Sequence, residues 1–102
     1  GANIVDFSGY PDCKPDFFLR MSEALCYGSK LCTEYGVKFE ITNPVLNLSK
    51  GQIIQLARKI GAPIHLTWSC YEEGDLPCGI CESCLIRIKG FEQAGIEDLS
   101  PH

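Results

Sequence analysis

The chain has 102 residues, 45% of them apolar, and a formal charge of −4. That length supports one modest domain, burying only about two-thirds of the surface its unfolded chain exposes. An acidic chain without a basic run is not built to grip nucleic-acid backbones by itself, and no apolar stretch approaches the ~20 residues of a membrane span. With no export-like opening, Cys13, Cys26 and Cys32 are expected as free thiols in a reducing cytoplasm.

In chain order, residues 2–7 read as a short strand. Pro15 suits the first turn of a helix running to about Tyr35, where Gly36 can end it. Phe18, Met21, Leu25, Gly28, Cys32 and Tyr35 recur at three- and four-residue steps, so this face is expected to pack on a sheet or a neighbouring helix. On one continuous helix Cys26 and Cys32 diverge and read as small packing residues. Residues 37–41 alternate apolar and polar and predict a second strand, followed by a turn at Pro44. Ser49 and Gln52 form a candidate capping box for a helix that buries Ile53, Ile54, Ala57 and Ile60 and stops at Gly61. A last helix starts inside a cysteine cluster and runs through Leu85, Ile88 and Phe91 to Gly95. Strands alternating with helices predict an α/β fold.

Chemistry concentrates in Cys70, Cys78, Cys81 and Cys84. Two successive Cys-x-x-Cys steps let sulfurs converge on one ion, Gly79 relieves the first step, and the polar, turn-rich residues 71–77 can return Cys70 to the fourth corner. Four thiolates leave no position for water, so such a centre holds structure and does not activate a nucleophile. An iron–sulfur cluster also takes four cysteines, although the ferredoxin-type run continues differently from Leu85-Ile86-Arg87-Ile88. A redox pair at Cys78 and Cys81 leaves Cys70 and Cys84 unexplained, and disulfides fit poorly with an odd count of seven cysteines. Zinc is the reading that this spacing favours, with the iron–sulfur cluster as the alternative that also uses all four.

Three ordered motifs carry a resemblance across essentially the whole chain: N-I-V-D-F-S-G-Y-P-D-C at 3–13, L-T-W-S-C-Y at 66–71, and C-G-I-C-E-S-C-L-I-R at 78–87 with K-G-F at 89–91. Together they resemble the C-terminal half of the 7-cyano-7-deazaguanine synthase family, in the ATP-pyrophosphatase group. The resemblance implies the C-terminal part of a Rossmann-like α/β adenine-nucleotide-binding fold, with residues 1–69 completing the α/β domain and 70–102 forming a four-cysteine zinc module with a terminal helix. It implies ATP-dependent conversion of 7-carboxy-7-deazaguanine and ammonia to the nitrile, on the route to queuosine. It also implies structural Zn2+ on Cys70, Cys78, Cys81 and Cys84, and ATP, with Mg2+, as co-substrate.

The family's Ser-Gly-Gly-x-Asp-Ser loop, whose backbone amides cradle phosphate, has no counterpart here, and Lys50-Gly51 is too slight a substitute. The chain is therefore expected to be inactive alone and to need an N-terminal nucleotide-binding half or subunit; a homodimer is a further expected association. For the deazapurine, the resemblance points to Tyr10 for stacking or hydrogen bonding, Asp12 for the guanine-like N–H edge and Lys14 for the carboxylate. The family more often has arginine at that last position, which would contact the carboxylate through two donors and not one. Against these stand a capping role for Asp12 and simple loop packing for Tyr10 and Pro11. Catalytic residues are not assigned: Cys13 is a candidate nucleophile, but activation through an acyl-adenylate needs none. His65 reads as a core or surface histidine, Trp68 as packing near the zinc, and Arg87 and Lys89 as either phosphate contacts or a solvated face. The competing function class is a non-catalytic, zinc-stabilised binding or assembly module.

Overall fold

Prolines and glycines punctuate four helices in the computed structural model, which describes residues 2–3 and 10–100. The chain divides into two compact units, Gly1–Asn47 and Leu48–His102.

In the first unit a 3-10 turn over Pro11–Cys13 is closed by Cys13 N donating to Tyr10 O and Lys14 N donating to Pro11 O, at 3.0 and 3.2 Å. Lys14 then takes an extended conformation as the N-cap, and Pro15, whose missing N–H is no loss there, opens α1 (Pro15–Tyr27). The single helix expected to reach Tyr35 is interrupted. Gly28 and Ser29, both weaker helix formers than alanine, stand in succession, and Ser29 becomes the extended N-cap of α2 (Lys30–Tyr35). Its backbone carbonyl accepts Thr33 N at 3.1 Å, and Gly36 ends α2 in the left-handed conformation. This break has a consequence for the thiols: Cys26 and Cys32, expected to diverge, interact through their side chains. The proposed apolar stripe is also largely open, with Met21, Leu25 and Tyr35 all exposed.

The strand expected at residues 37–41 is absent, and no strand occurs among the described residues. A strand needs a neighbour for its amides, and here two alternate amides find helix side chains instead. Phe39 N donates to Cys26 Sγ and Ile41 N to Ser22 Oγ, each at 3.3 Å. Most of the strand expected at residues 2–7 lies outside the described residues. Asn3 is fully buried, its Nδ2 donating to Val45 O at 2.8 Å and Leu46 O at 3.4 Å. The α/β layering is thus not formed among the described residues, which are helical.

The second unit begins with the capping box. Gln52 N donates to Ser49 Oγ at 3.1 Å, and Ser49 N donates to Gln52 Oε1 at 2.8 Å, starting α3 (Lys50–Lys59). Ile53, Ile54 and Ala57 are half-buried, but Ile60 is 72% exposed because it caps the helix where the chain turns away at Gly61. Helix α4 (Glu82–Ala94) packs against α3 through two glycines. A Cβ on Gly51 would stand 2.9 Å from Gln93 Cβ, and one on Gly90 would stand 2.9 Å from Lys50 Cβ and 3.1 Å from Ile54 Cδ1. The backbones approach closely because neither position carries a side chain. The buried residues of α4 are Cys84, Gly90 and Phe91, whereas Leu85 and Ile88 face outward. A second 3-10 turn, Ile64–Leu66, leads to residues 67–70 and so to the first cysteine of the cluster. No helix among the described residues is long and apolar enough to cross a membrane.

Candidate metal centre

The four cysteines singled out by spacing meet in the second unit, with all their sulfurs within 4.8 Å of one another. A tetrahedral ion bound at the usual Zn–S length of ~2.3 Å separates its sulfurs by about 3.8 Å. Cys78 and Cys84 Sγ stand 3.9 Å apart, so this set can hold a metal ion after small adjustment. None of the chain's seven cysteines is in a disulfide.

Local backbone geometry creates the convergence. Gly79, at φ 74°, turns the chain within the first Cys-x-x-Cys step, in a region of backbone space that costs a side chain strain. Cys81 is the N-cap of α4, its sulfur accepting Cys84 N at 3.4 Å, so the last two ligands sit at a helix start where the dipole favours negative sulfur. Cys81 N and Ile80 N donate to Cys78 Sγ at 3.3 and 3.5 Å, while Cys78 N and Glu72 N donate to Cys70 Sγ at 3.3 and 3.4 Å. Amides aimed at sulfur are the surroundings a metal-bound thiolate requires.

The thiols respond accordingly. Amide donation, chiefly from Tyr71 and then from Cys84, brings Cys81 down to about 6. Donation led by the Cys78 amide, with Glu72 assisting, lowers Cys70. Burial works in the opposite direction at Cys84 and pushes it up to about 12. Four adjacent sulfurs resist becoming four anions together, and a bound cation removes that conflict. The donor set therefore suits a thiophilic cation, with Cys70 and Cys84 buried and the other two ligands partly so.

Around the cage, Trp68 Nε1 donates to Cys70 O at 2.9 Å, which puts this half-exposed indole beside the cage as expected. Ser83 Oγ donates to Ser69 O at 2.6 Å, tying the start of α4 to the residue before Cys70. Sequence reasoning missed the part played by Arg87. Its side chain is only 13% exposed, so it is neither a solvated surface group nor free for a phosphate. Nε reaches Asp98 Oδ2 at 2.7 Å and Nη2 reaches Oδ1 at 3.1 Å, while Nη1 donates to Thr67 Oγ1 and Ser69 Oγ, both at 3.0 Å. The guanidinium also lies 5.3 Å from the Phe91 ring centroid. The available signal was an arginine one turn beyond Cys84 together with Asp98-Leu99-Ser100, but separation along the chain concealed the pairing. Lys89 is exposed, and His65 is exposed on the 3-10 turn at an open hollow also lined by Arg58, Phe91 and Asp98.

The first unit carries the other candidate residues. Asp12 lies within the Pro11–Cys13 turn, Tyr10 and Lys14 flank it, and all three are exposed; Cys13 is half-buried. The N-cap of α1 is Lys14, and no side chain caps it, so Asp12 does not perform the capping role weighed for it.

Residues 1–95 match the family described as Queuosine biosynthesis protein QueC. The chain is 46% identical over all its 102 residues to 7-cyano-7-deazaguanine synthase of Nostoc sp., covering 44% of that protein. It is 48% identical over 98 residues to the synthase of Acetivibrio thermocellus, covering 96% of this chain and 44% of the relative. With the synthase of Thermoplasma acidophilum it shares 46% over 98 residues, 96% of this chain and 40% of the relative. The chain thus spans less than half the length of these curated relatives, and the match over nearly all of its own residues places it in the QueC family.

Proposed function

We propose that this chain supplies the substrate turn and the zinc module of a 7-cyano-7-deazaguanine synthase, an ATP-dependent ligase that makes 7-cyano-7-deazaguanine from 7-carboxy-7-deazaguanine and ammonia for queuosine biosynthesis. The observation that carries this reading is the 46% identity to a named synthase over the whole chain. In this reading the chain is the C-terminal part of a Rossmann-like α/β fold acting in the cytoplasm. The nucleotide-binding half, in the same polypeptide or a partner subunit, provides the phosphate loop for ATP and Mg2+.

Zinc, if bound to Cys70, Cys78, Cys81 and Cys84, supplies structural cross-linking and no open Lewis-acid position, because thiolates fill all four corners. Tyr10, Asp12 and Lys14 are assigned to the deazapurine on chemical grounds. An acidic oxygen at Asp12 suits the N–H edge of a guanine-like ring, the Lys14 ammonium suits the 7-carboxylate, and the Tyr10 ring offers a stacking face. Their exposure on a turn is compatible with ligand contact. Chemistry would then proceed by two activations of the substrate: carboxylate to amide with ammonia, then amide to nitrile with loss of the oxygen to the activating group. Neither step requires Cys13 as a nucleophile.

A second reading is favoured by one observation: the cage and its hydrogen-bonding surroundings lie wholly within the second unit, as expected for a binding or assembly module that needs no active site. One experiment separates the two. Nitrile formation is followed by mass spectrometry from 7-carboxy-7-deazaguanine, ammonium and ATP, with the zinc-assayed chain alone and then with an N-terminal nucleotide-binding half. Product in the mixture but not from the chain alone is expected. No product from a mixture in which both parts are folded and zinc is bound would overturn the ligase reading in favour of the module.

A further inference from the structure

Three of the four cage cysteines lie close together on the tight turn and first helical residues at 78–84, whereas Cys70 comes from a separate segment eight residues earlier. Closure of the cage therefore depends on whatever fixes residues 67–70. No described helix or strand contains that segment. Thr67 bonds back to Ile64 O, and the anchors from α4 are Ser83, which donates to Ser69 O, and Arg87, which reaches Thr67 Oγ1, Thr67 O at 3.3 Å and Ser69 Oγ.

Arg87 is itself held from the other side. Its fork meets the Asp98 carboxylate through two nitrogens, and its Nη2 also donates to Ser100 Oγ at 3.2 Å. Ser100 in turn donates to Asp98 Oδ1 through Oγ at 2.7 Å and through its backbone N at 3.0 Å. One guanidinium plane thus joins α4, the segment entering Cys70 and the segment leaving α4. A two-point arginine–carboxylate contact of this kind sets orientation as well as distance.

We infer that Arg87 and Asp98 form a positioning clasp that sets the Cys70 corner of the cage, so that residues 98–100 govern how readily a bound metal is released. The inference rests on the cage reading above. When the clasp is intact, Ser69 is fixed from two directions and Cys70 Sγ stays where the Cys78 and Glu72 amides point. When it is broken, Cys70 is the ligand free to swing out, while Cys78, Cys81 and Cys84 remain organised by their own turn and helix start.

The test uses the full-length protein containing this chain, loaded with zinc, with transfer to a chromophoric chelator followed at neutral pH and cysteine alkylation mapped by mass spectrometry during release. Arg87→Lys and Asp98→Asn are expected to speed release by about tenfold, the low end of the affinity loss that follows when groups bonded directly to metal ligands are removed, since the clasp acts one residue away from Cys70. Asp98→Glu and Ser100→Ala are expected to fall between these and the parent, and Arg58→Ala, outside the clasp, to match the parent. The decisive readout is order: Cys70 is alkylated ahead of the other three cage cysteines in the clasp variants, whereas general loosening exposes all four together. Cobalt in place of zinc adds a spectroscopic check, since loss of one thiolate weakens the sulfur-to-metal absorption. Release at the parent rate, or simultaneous alkylation of all four cysteines, would overturn the clasp while leaving the cage intact. A parent protein that holds no metal on these cysteines would overturn the cage reading itself and the clasp with it.

Discussion

In residues 48–100 two helices meet at Gly51 and Gly90, four sulfurs share one centre, and an arginine of the last helix bonds to segments on both sides. Residues 10–47 have no such shared centre: the loop after α2 is fastened by Val37 N donating to Leu31 O and by single bonds from backbone amides to Cys26 and Ser22, and large apolar side chains stand exposed in both stretches, Leu25 and Tyr35 in this one and Ile60 and Leu85 in the other. Both stretches have a similar share of helix, so helical content does not decide which is consolidated. What differs is how the non-helical segments are anchored: residues 67–70 are held by the side chains of Ser83 and Arg87 and by the amides aimed at Cys70 Sγ, whereas residues 37–41 are held by Val37 N donating to Leu31 O and by two weak donors to α1.

Removing a ligand should break this contrast most severely. Cys84→Ser deletes a buried sulfur from the cage. Structural zinc contributes roughly 10–16 kcal/mol to small zinc-dependent folds, so this variant is expected to lose its metal and the order of residues 70–84. Metal content and hydrogen exchange check it: amide protection should collapse across the cage and change little across α1.

Next in size is the helix crossing. Gly90→Ala places a methyl group where Lys50 Cβ would be 2.9 Å away, and backbone as well as side chains must then shift. Overpacking of this kind costs about 1–3 kcal/mol, to be read from denaturant unfolding of the metal-loaded protein. The opposite result, stabilisation through better helix propensity, would mean that the crossing is looser than the glycine contacts require.

Acid should loosen the second unit through Asp98. Burial alone would raise this carboxyl, but hydrogen bonds from Arg87 and Ser100 outweigh it and bring the group from 3.8 down to about 2. A folded value below the unfolded one means that the stabilisation is complete above the unfolded value and is lost as pH falls through about 2. The shift corresponds to about 2 kcal/mol. Asp98→Asn should therefore be less stable than the parent at neutral pH by an amount of this order, and the difference should shrink between about pH 4 and 2 in paired acid-unfolding curves.

Ser49→Ala tests a smaller anchor. Losing the hydroxyl that accepts Gln52 N should cost about 1 kcal/mol, again by denaturant unfolding. That contact was readable in the sequence, as were the cysteine cage and the end of α4 at Gly95, because each is settled by residues a few positions apart. The rest was hidden for a physical reason. Alternation at residues 37–41 states which residues want burial, but not whether a neighbouring strand exists to take their amides, and here Cys26 and Ser22 take two of them. The stripe from Phe18 to Tyr35 has the right period for one helix, yet Gly28-Ser29 turns it. Arg87 could not be assigned from spacing because its partners lie 11 to 23 residues away on both sides. Local capping and ligand spacing were thus legible, whereas contacts that join distant segments were not.

The smallest effect sharpens the comparison at the level of single thiols. Cys26 accepts the Phe39 amide, the largest influence lowering its thiol, with Cys32 and then Lys38 acting in the same direction against burial. Cys32 is raised, first by burial and then by Cys26. Two half-buried thiols in one unit are thus driven apart in acidity, the Phe39 amide lowering Cys26 most and burial raising Cys32 most. Since the thiolate is the reacting form, iodoacetamide should label Cys26 several-fold faster than Cys32 near pH 8, with the four cage cysteines of the metal-loaded protein slower than both. Ordinary labelling of Cys26 and Cys32 at one rate would show that the Phe39 amide does not stay on sulfur in solution, and Ser22 would then be the one contact left between residues 38–41 and α1, with Val37 N still on Leu31 O. A Ser22→Ala variant should in that case release residues 38–41 from α1, whereas with the Phe39 contact intact it should loosen Ile41 and leave the Cys26 labelling rate unchanged.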